Sequence, residues 1–136
     1  MNRDPIVDGL VLFCRSEAHQ HYSMEDLNHY LVIPNRHDKL RVYYEDDKPI
    51  GLVTWAWLTK DRADQFLLGL ADLNDRDYKA EKQDNLQFWG IDFISPYGKA
   101  RKIMAEIKKE HAQRYGKSTV RFRRFKDMSK VHRRNL

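Results

Sequence analysis

Asp92 stands inside an apolar run, Leu86-Gln87-Phe88-Trp89-Gly90-Ile91-Asp92-Phe93-Ile94. A carboxylate placed there is costly to desolvate unless something pairs with it. Two readings stand side by side: a solvated position at a sheet edge, or a charge held beside a partner for chemistry. Three histidines, His19, His21 and His29, lie close together in sequence. Histidine is the side chain best matched to proton transfer near neutrality, although a surface position is the default for any one of them. No cysteine pair and no His-Glu-x-x-His spacing supports a metal site, so none is expected. Ser16 precedes His19 by three positions, but no Gly-x-Ser-x-Gly elbow surrounds it, which argues against a serine-hydrolase triad. Cys14 falls on the apolar stripe of a helix and is expected in the core, not as a nucleophile. The chain has no Gly-x-Gly-x-x-Gly or Walker loop, which weakens nucleotide-dependent chemistry.

These groups must be positioned by a limited set of elements. Ile6, Leu10, Phe13 and Cys14 recur at helical spacing after Pro5, predicting a first amphipathic helix over residues 4–15. Ser16–Tyr22 reads as a polar loop. Ser23 with Asp26 forms a capping-box pattern, and the short helix behind it is expected to run to about Tyr30 and end at Pro34-Asn35. Leu40–Tyr44 and Ile50–Trp57 are rich in β-formers and flank the polar turn Glu45–Pro49, the pattern of a hairpin. Thr59 caps a helix carrying Ala63, Phe66, Leu67 and Leu70. Residues 72–85 are nearly all polar and read as an exposed connection or a ragged helix. The run 86–94 is a strong strand whose alternation puts Gly90, Asp92 and Ile94 on one face. A basic helix with Ile103, Met104 and Ile107 stops near Gly116, and Ser118–Phe125 is a last strand. The order helix, hairpin, helix, strand, helix, strand predicts an α/β (α+β) fold with a mixed sheet.

With 136 residues, 41% hydrophobic and 33% charged, the chain has the make-up of one globular domain, 1–136, and not of a disordered tail. One cysteine suits a reducing compartment. The N-terminus lacks the apolar run of a signal peptide, and no apolar stretch approaches the ~20 residues of a membrane span. A cytoplasmic protein is expected. Charge is uneven: residues 99–136 carry 14 Lys/Arg against 3 Asp/Glu, whereas residues 1–98 carry 11 against 17. A basic C-terminal segment, 117–136, implies an anionic partner. The mixture Arg121-Phe122-Arg123-Arg124-Phe125-Lys126 is compatible with single-stranded nucleic acid, but no nucleic-acid motif is present. A small basic nucleic-acid-binding or regulatory module without catalysis is the alternative; it leaves His19 and Asp92 without a role.

Several local patterns then align with one family. Ser16-Glu17-Ala18-His19, Lys48-Pro49-Ile50-Gly51-Leu52-Val53-Thr54-Trp55-Ala56 and Phe88-Trp89-Gly90-Ile91-Asp92-Phe93-Ile94-Ser95-Pro96-Tyr97-Gly98 occur in the order and spacing of the toxin-activating lysine acyltransferases. The sequence resembles that family over roughly residues 8–125, the Trp-x-Ile-Asp-Phe-Ile-x-Pro-x-Gly block being the specific part. The resemblance implies a fold like the GNAT acetyltransferases, His19 and Asp92 as the catalytic pair, and Ser16 in support. It also implies a fatty acyl donor carried on acyl carrier protein, no bound cofactor, a protein toxin as substrate, and a homodimer. Family members generally continue beyond Val131-His132-Arg133-Arg134, so the expected substrate includes a contact-dependent growth-inhibition effector as well as an RTX protoxin. Acyl carrier proteins are strongly acidic, which makes Arg121, Arg123 and Arg124 the expected docking residues. A free lysine amine has a pKa of ~10.4, so only about one in a thousand is neutral near pH ~7.4. His19 is expected to remove that proton while Asp92 holds the imidazole in the right tautomer.

Overall fold

The computed structural model describes residues 3–116, 118–124 and 127–135, with the backbone alone for 123–124 and 127–135. The first helix, α1 (Pro5–Arg15), starts where expected, with Asp4 accepting a hydrogen bond from the Ile6 N–H and Pro5 in the first turn. Its buried face differs from the expected stripe. Gly9, Leu12 and Phe13 face inward, whereas Leu10 is 42% exposed and Cys14 is exposed. A Cβ on Gly9 would stand 2.6 Å from Leu31 Cδ1, so the helix packs closest where it has no side chain. Hydrophobic periodicity passes over a glycine, and the true face turns Cys14 out to solvent.

The second helical stretch runs further than Tyr30. The segments α2 (Met24–Leu27), a π turn (Asn28–Val32) and α3 (Ile33–Arg36) follow one another without a break. Pro34 does not stop it because the π turn shifts the bonding: the Ile33 N–H reaches back to the Asn28 carbonyl, and Pro34 falls in the first turn of α3, where its missing N–H is not needed. The capping box of Ser23 and Asp26 forms in both directions.

Strands β1 (Leu40–Glu45) and β2 (Lys48–Leu58) make the expected hairpin, but its turn is tighter. Glu45 pairs with Lys48, leaving Asp46 and Asp47 as a two-residue turn with φ of +51° and +63°. That is the type I′ geometry that matches strand twist. Thr59 caps α4 (Lys60–Leu67), which ends before Leu70. Gly69, at φ +72°, donates to the Phe66 carbonyl while the Leu70 N–H reaches Gln65, closing a Schellman motif that leaves Leu70 exposed. The polar stretch 72–85 is not merely an exposed connection. It holds α5 (Asp75–Lys79), capped by Asn74 with Asp77, and completely buries Leu73 and Tyr78.

Strand β3 (Gln87–Ile94) lies antiparallel to β2, α6 (Ala100–Tyr115) crosses over, and β4 (Thr119–Arg124) returns parallel to β3. A further strand not foreseen from the sequence, β5 (Asp127–Asn135), pairs antiparallel with β4. Phe125 and Lys126, read as part of the last strand and its basic tail, lie outside the described residues. The sheet order is β1-β2-β3-β4-β5, a mixed sheet with helices on both faces. One face packs α1 and the α3–α5 region through Leu12, Phe13, Leu31, Ile33 and Tyr78. The other packs α6 through Ile103 and Ile107 against Val53, Trp57 and Phe88.

One irregularity overturns the expected alternation of β3. Thr54 registers with Asp92 but Trp55 registers with Gly90, so Ile91 is an extra residue, a β-bulge. Gly90 therefore faces α6, where a Cβ would meet Phe122 Cε1 at 2.0 Å, while Asp92 and Ile94 face α1. Period-two reasoning fails at a bulge because one inserted residue reverses every side chain beyond it.

The hairpin turn gives a direct test. Asp47 pays for a left-handed backbone that glycine adopts freely, so Asp47→Gly should raise stability by about 0.5–1 kcal/mol. Urea denaturation followed by tryptophan fluorescence would show the midpoint rising without a change in slope.

Candidate active site

The site forms where the end of α1 meets the bulged part of β3. Ser16 is the C-cap of α1, its N–H bonded to the Phe13 carbonyl, and the chain then tightens into a 3-10 turn at Glu17–His19. Three residues per turn bring positions i and i+3 to the same side. Ser16 and His19 are so related, and Ser16 Oγ lies 2.6 Å from His19 Nδ1. The other ring nitrogen, Nε2, lies 2.9 Å from Asp92 Oδ1, a contact between residues 73 positions apart. The His19 and Asp92 side chains are 3% and 0% exposed.

Neighbours hold this chain of three in place. Tyr22 donates its hydroxyl to Asp92 Oδ1 at 3.2 Å. The Asp92 N–H donates to Thr54 Oγ1 at 3.1 Å, so the residue after the bulge is tied across to β2. The imidazole is packed edge-on between the Phe13 and Tyr22 rings, with centroids 5.4 and 5.2 Å away. Tyr78 is fully buried, and burial holds its hydroxyl well above the ordinary phenol range, with the charge of Asp92 adding to the effect. It stays a neutral phenol, and its oxygen has no hydrogen-bond partner among the described residues.

A carboxylate only accepts, so Nε2 of His19 carries the proton donated to Asp92. Nδ1 is then the basic nitrogen of the neutral ring and accepts from the Ser16 hydroxyl. This is the relay of serine, histidine and aspartate with the two ring nitrogens exchanged relative to the usual triad. With the ring almost fully buried and both nitrogens occupied, the half-buried Ser16 is the member nearest solvent. The arrangement can take a proton from an incoming group through Ser16 Oγ, or make Ser16 itself nucleophilic.

Ser16, His19 and Asp92 are thus brought together without a Gly-x-Ser-x-Gly elbow, because a 3-10 turn presents the serine instead. His29 is elsewhere, its Nδ1 2.6 Å from the Leu73 carbonyl. Arg121 lies on β4 beside Trp89 in register, on the face that carries Asp92. Arg123 and Arg124 are on the same strand, but their side chains lie outside the described residues. Sequence reading missed Tyr22, Thr54, Phe13 and Tyr78 as parts of the site. Only Thr54 left a signal, since it sits in the Lys48–Ala56 segment already singled out. Among the described residues no group of three or more His, Cys, Asp or Glu is placed to hold a metal ion, and no helix is long and apolar enough to cross a membrane.

A buried serine–histidine–aspartate hydrogen-bond chain on a mixed α/β sheet is a geometry suited to proton-coupled group transfer. The sequence model of the RTX toxin acyltransferase family matches residues 7–135, and the chain belongs to that family. No curated protein matches the chain. Membership carries the reaction class, acyl transfer, and the kind of protein served, a toxin activated by acylation.

The hydrogen-bond pattern has a spectroscopic signature. Imidazole 15N shifts should show His19 in the Nε2-protonated form at neutral pH, and Asp92→Asn should shift the ring toward the other tautomer, since an amide oxygen holds the N–H less strongly than a carboxylate.

Proposed function

We propose that this protein transfers a fatty acyl group from acyl carrier protein to the ε-amine of internal lysines in a protein toxin, with His19 as general base. The observation that carries the reading is the unbroken chain Ser16 Oγ–His19 Nδ1, His19 Nε2–Asp92, buried at the end of α1. A lysine must lose a proton before it attacks, and a buried imidazole oriented by a carboxylate is suited to take it. The proton passes from the amine through Ser16 Oγ to Nδ1 while Asp92 stabilises the imidazolium. The amine attacks the thioester carbonyl, a C–N bond forms, the C–S bond breaks, and His19 returns its proton to the departing thiolate. Backbone N–H groups stabilise the oxyanion.

The donor fits the charge pattern. Arg121, Arg123 and Arg124 sit on β4, and Arg121 registers opposite Arg133 on β5. Such a strand pair suits an acidic carrier protein, which brings its own pantetheine arm, so no pyrophosphate-binding loop is needed. The parallel β3–β4 pair after a bulged strand supports likeness to the GNAT acetyltransferases. The stripe of Val7, Leu10 and Val11 left exposed on α1 supports a homodimer, and the unpaired Cys14 a reducing, cytoplasmic setting.

Intact-mass analysis of a toxin fragment co-expressed with this protein tests the reading. His19→Gln and Asp92→Asn should each reduce acylation at least ~1,000-fold while circular dichroism stays unchanged. Ser16→Ala should retain a residue of activity, and no acyl increment should appear on the enzyme treated with donor alone. A full acyl increment on the toxin with either the His19 or the Asp92 variant overturns the proposal.

Docking is tested separately. Arg121→Glu should raise KM for the acyl carrier protein donor about tenfold or more with little change in kcat, and added salt should narrow the difference. Transfer from a small acyl thioester should be unaffected, as steady-state kinetics with both donors would show.

A further inference from the structure

We propose that Tyr22 is a positioning residue for the proton transfer: its hydroxyl, bonded to Asp92, fixes the carboxylate against His19 and limits how tightly the imidazole holds a proton. This deepens the acyl-transfer reading and rests on it.

The turn that carries the site repeats one step twice. The His19 N–H donates to the Ser16 carbonyl at 3.1 Å, and the Tyr22 N–H donates to the His19 carbonyl at 3.1 Å. Ser16, His19 and Tyr22 therefore recur every third residue, a spacing that brings side chains to one side of so tight a turn. The histidine and the tyrosine meet the same oxygen. His19 Nε2 lies 2.9 Å from Asp92 Oδ1, and the Tyr22 hydroxyl donates to that atom at 3.2 Å, with Oδ2 3.4 Å away. One short segment thus supplies both the base and the donor that competes with it for the carboxylate.

The competition has a direction. An ionised carboxylate beside an imidazole favours the imidazolium over the neutral ring. A phenol donating to the same oxygen draws off part of that negative charge and weakens the pull. More of the ring then stays neutral, and only the neutral ring can take a proton from a lysine.

The Tyr22 ring is held by more than its hydroxyl. It packs against Phe13, His19, His21 and Tyr30, with centroids 5.5, 5.2, 5.0 and 5.8 Å away. A phenylalanine keeps these contacts and loses only the O–H. The other groups around the pair differ in kind. Tyr78 of α5 is a neutral phenol whose oxygen has no hydrogen-bond partner among the described residues. Tyr30 donates its hydroxyl to Asp72 at 2.8 Å, and Thr54 takes the Asp92 backbone N–H. Arg121 on β4 contributes a positive charge on the same face, alike in every variant at position 22.

Titration of the His19 ring by 15N NMR in the full chain tests the proposal and needs no acyl transfer. In Tyr22→Phe the ring should bind a proton about threefold to tenfold more tightly, so its midpoint moves to higher pH. A ring-fluorinated tyrosine placed at position 22, whose more acidic hydroxyl donates more strongly, should move the midpoint to lower pH while keeping every packing contact. In the Asp92→Asn background, Tyr22→Phe should change proton binding less than about twofold, because the effect runs through the carboxylate. With a toxin fragment as acceptor, the acidic limb of the kcat profile should move up by the same factor in Tyr22→Phe, with KM for the toxin changed less than about twofold. A titration that neither change at position 22 moves overturns the proposal, as does an equal shift with and without the Asp92 carboxylate. The expected titration shifts in a protein that transfers no acyl group would support this role of Tyr22 and count against the acyl-transfer reading alone.

Discussion

The structure turns on one contact, the hydrogen bond between His19 Nε2 and Asp92 across 73 positions. Both groups are withdrawn from water, and a buried carboxylate is tolerable only when its acceptor sites are filled. The imidazole N–H and the Tyr22 hydroxyl meet this need, and a third anchor, the bond from the Asp92 backbone N–H to Thr54, fixes the residue itself. Each anchor comes from a different element. The contact therefore couples the end of α1, the 3-10 turn, the start of the second helical stretch and the central strands. Removing one partner leaves the other's charge or dipole buried beside the Phe13 and Tyr22 rings.

The bulge at Ile91 is what allows β3 to serve both faces. Without it, Gly90 and Asp92 would share a face, and either Phe122 would lack its place over the glycine or the carboxylate would point at α6. With it, Gly90 accepts the Phe122 ring on one face and Asp92 meets His19 on the other. The strand ladder to β4 ends at the same level. The bulge and the buried carboxylate thus fall within a few residues of one another on β3.

Ser16 shows how local geometry substitutes for a motif. A nucleophile elbow exposes a serine by a strained strand-to-helix turn. Here a helix C-cap followed by a 3-10 turn sets the hydroxyl on the histidine three residues later with ordinary backbone angles. The consequence is a hydrogen-bond chain in which Nδ1 instead of Nε2 meets the serine, with the serine between imidazole and solvent.

Much of this was legible in the amino-acid order. Caps at Ser23 and Thr59, the hairpin, the apolar strand around Asp92 and the basic helix ending at Gly116 are local features, and local propensity and periodicity report them. So does the pairing of residue types, Ser16 with His19 and the specific block holding Asp92. Other features depended on contacts between segments far apart. The burial of Gly9 against Leu31, the continuation of the helix through Pro34, the bulge that reversed the face of Asp92, and the burial of Tyr78 within a polar stretch all arise when elements press together. Which side chains the chain offers for chemistry is a property of its order. Which face they share, which ring nitrogen faces the serine and which the carboxylate, and what covers them are properties of packing, because a single inserted residue or one close helix approach reorients everything beyond it.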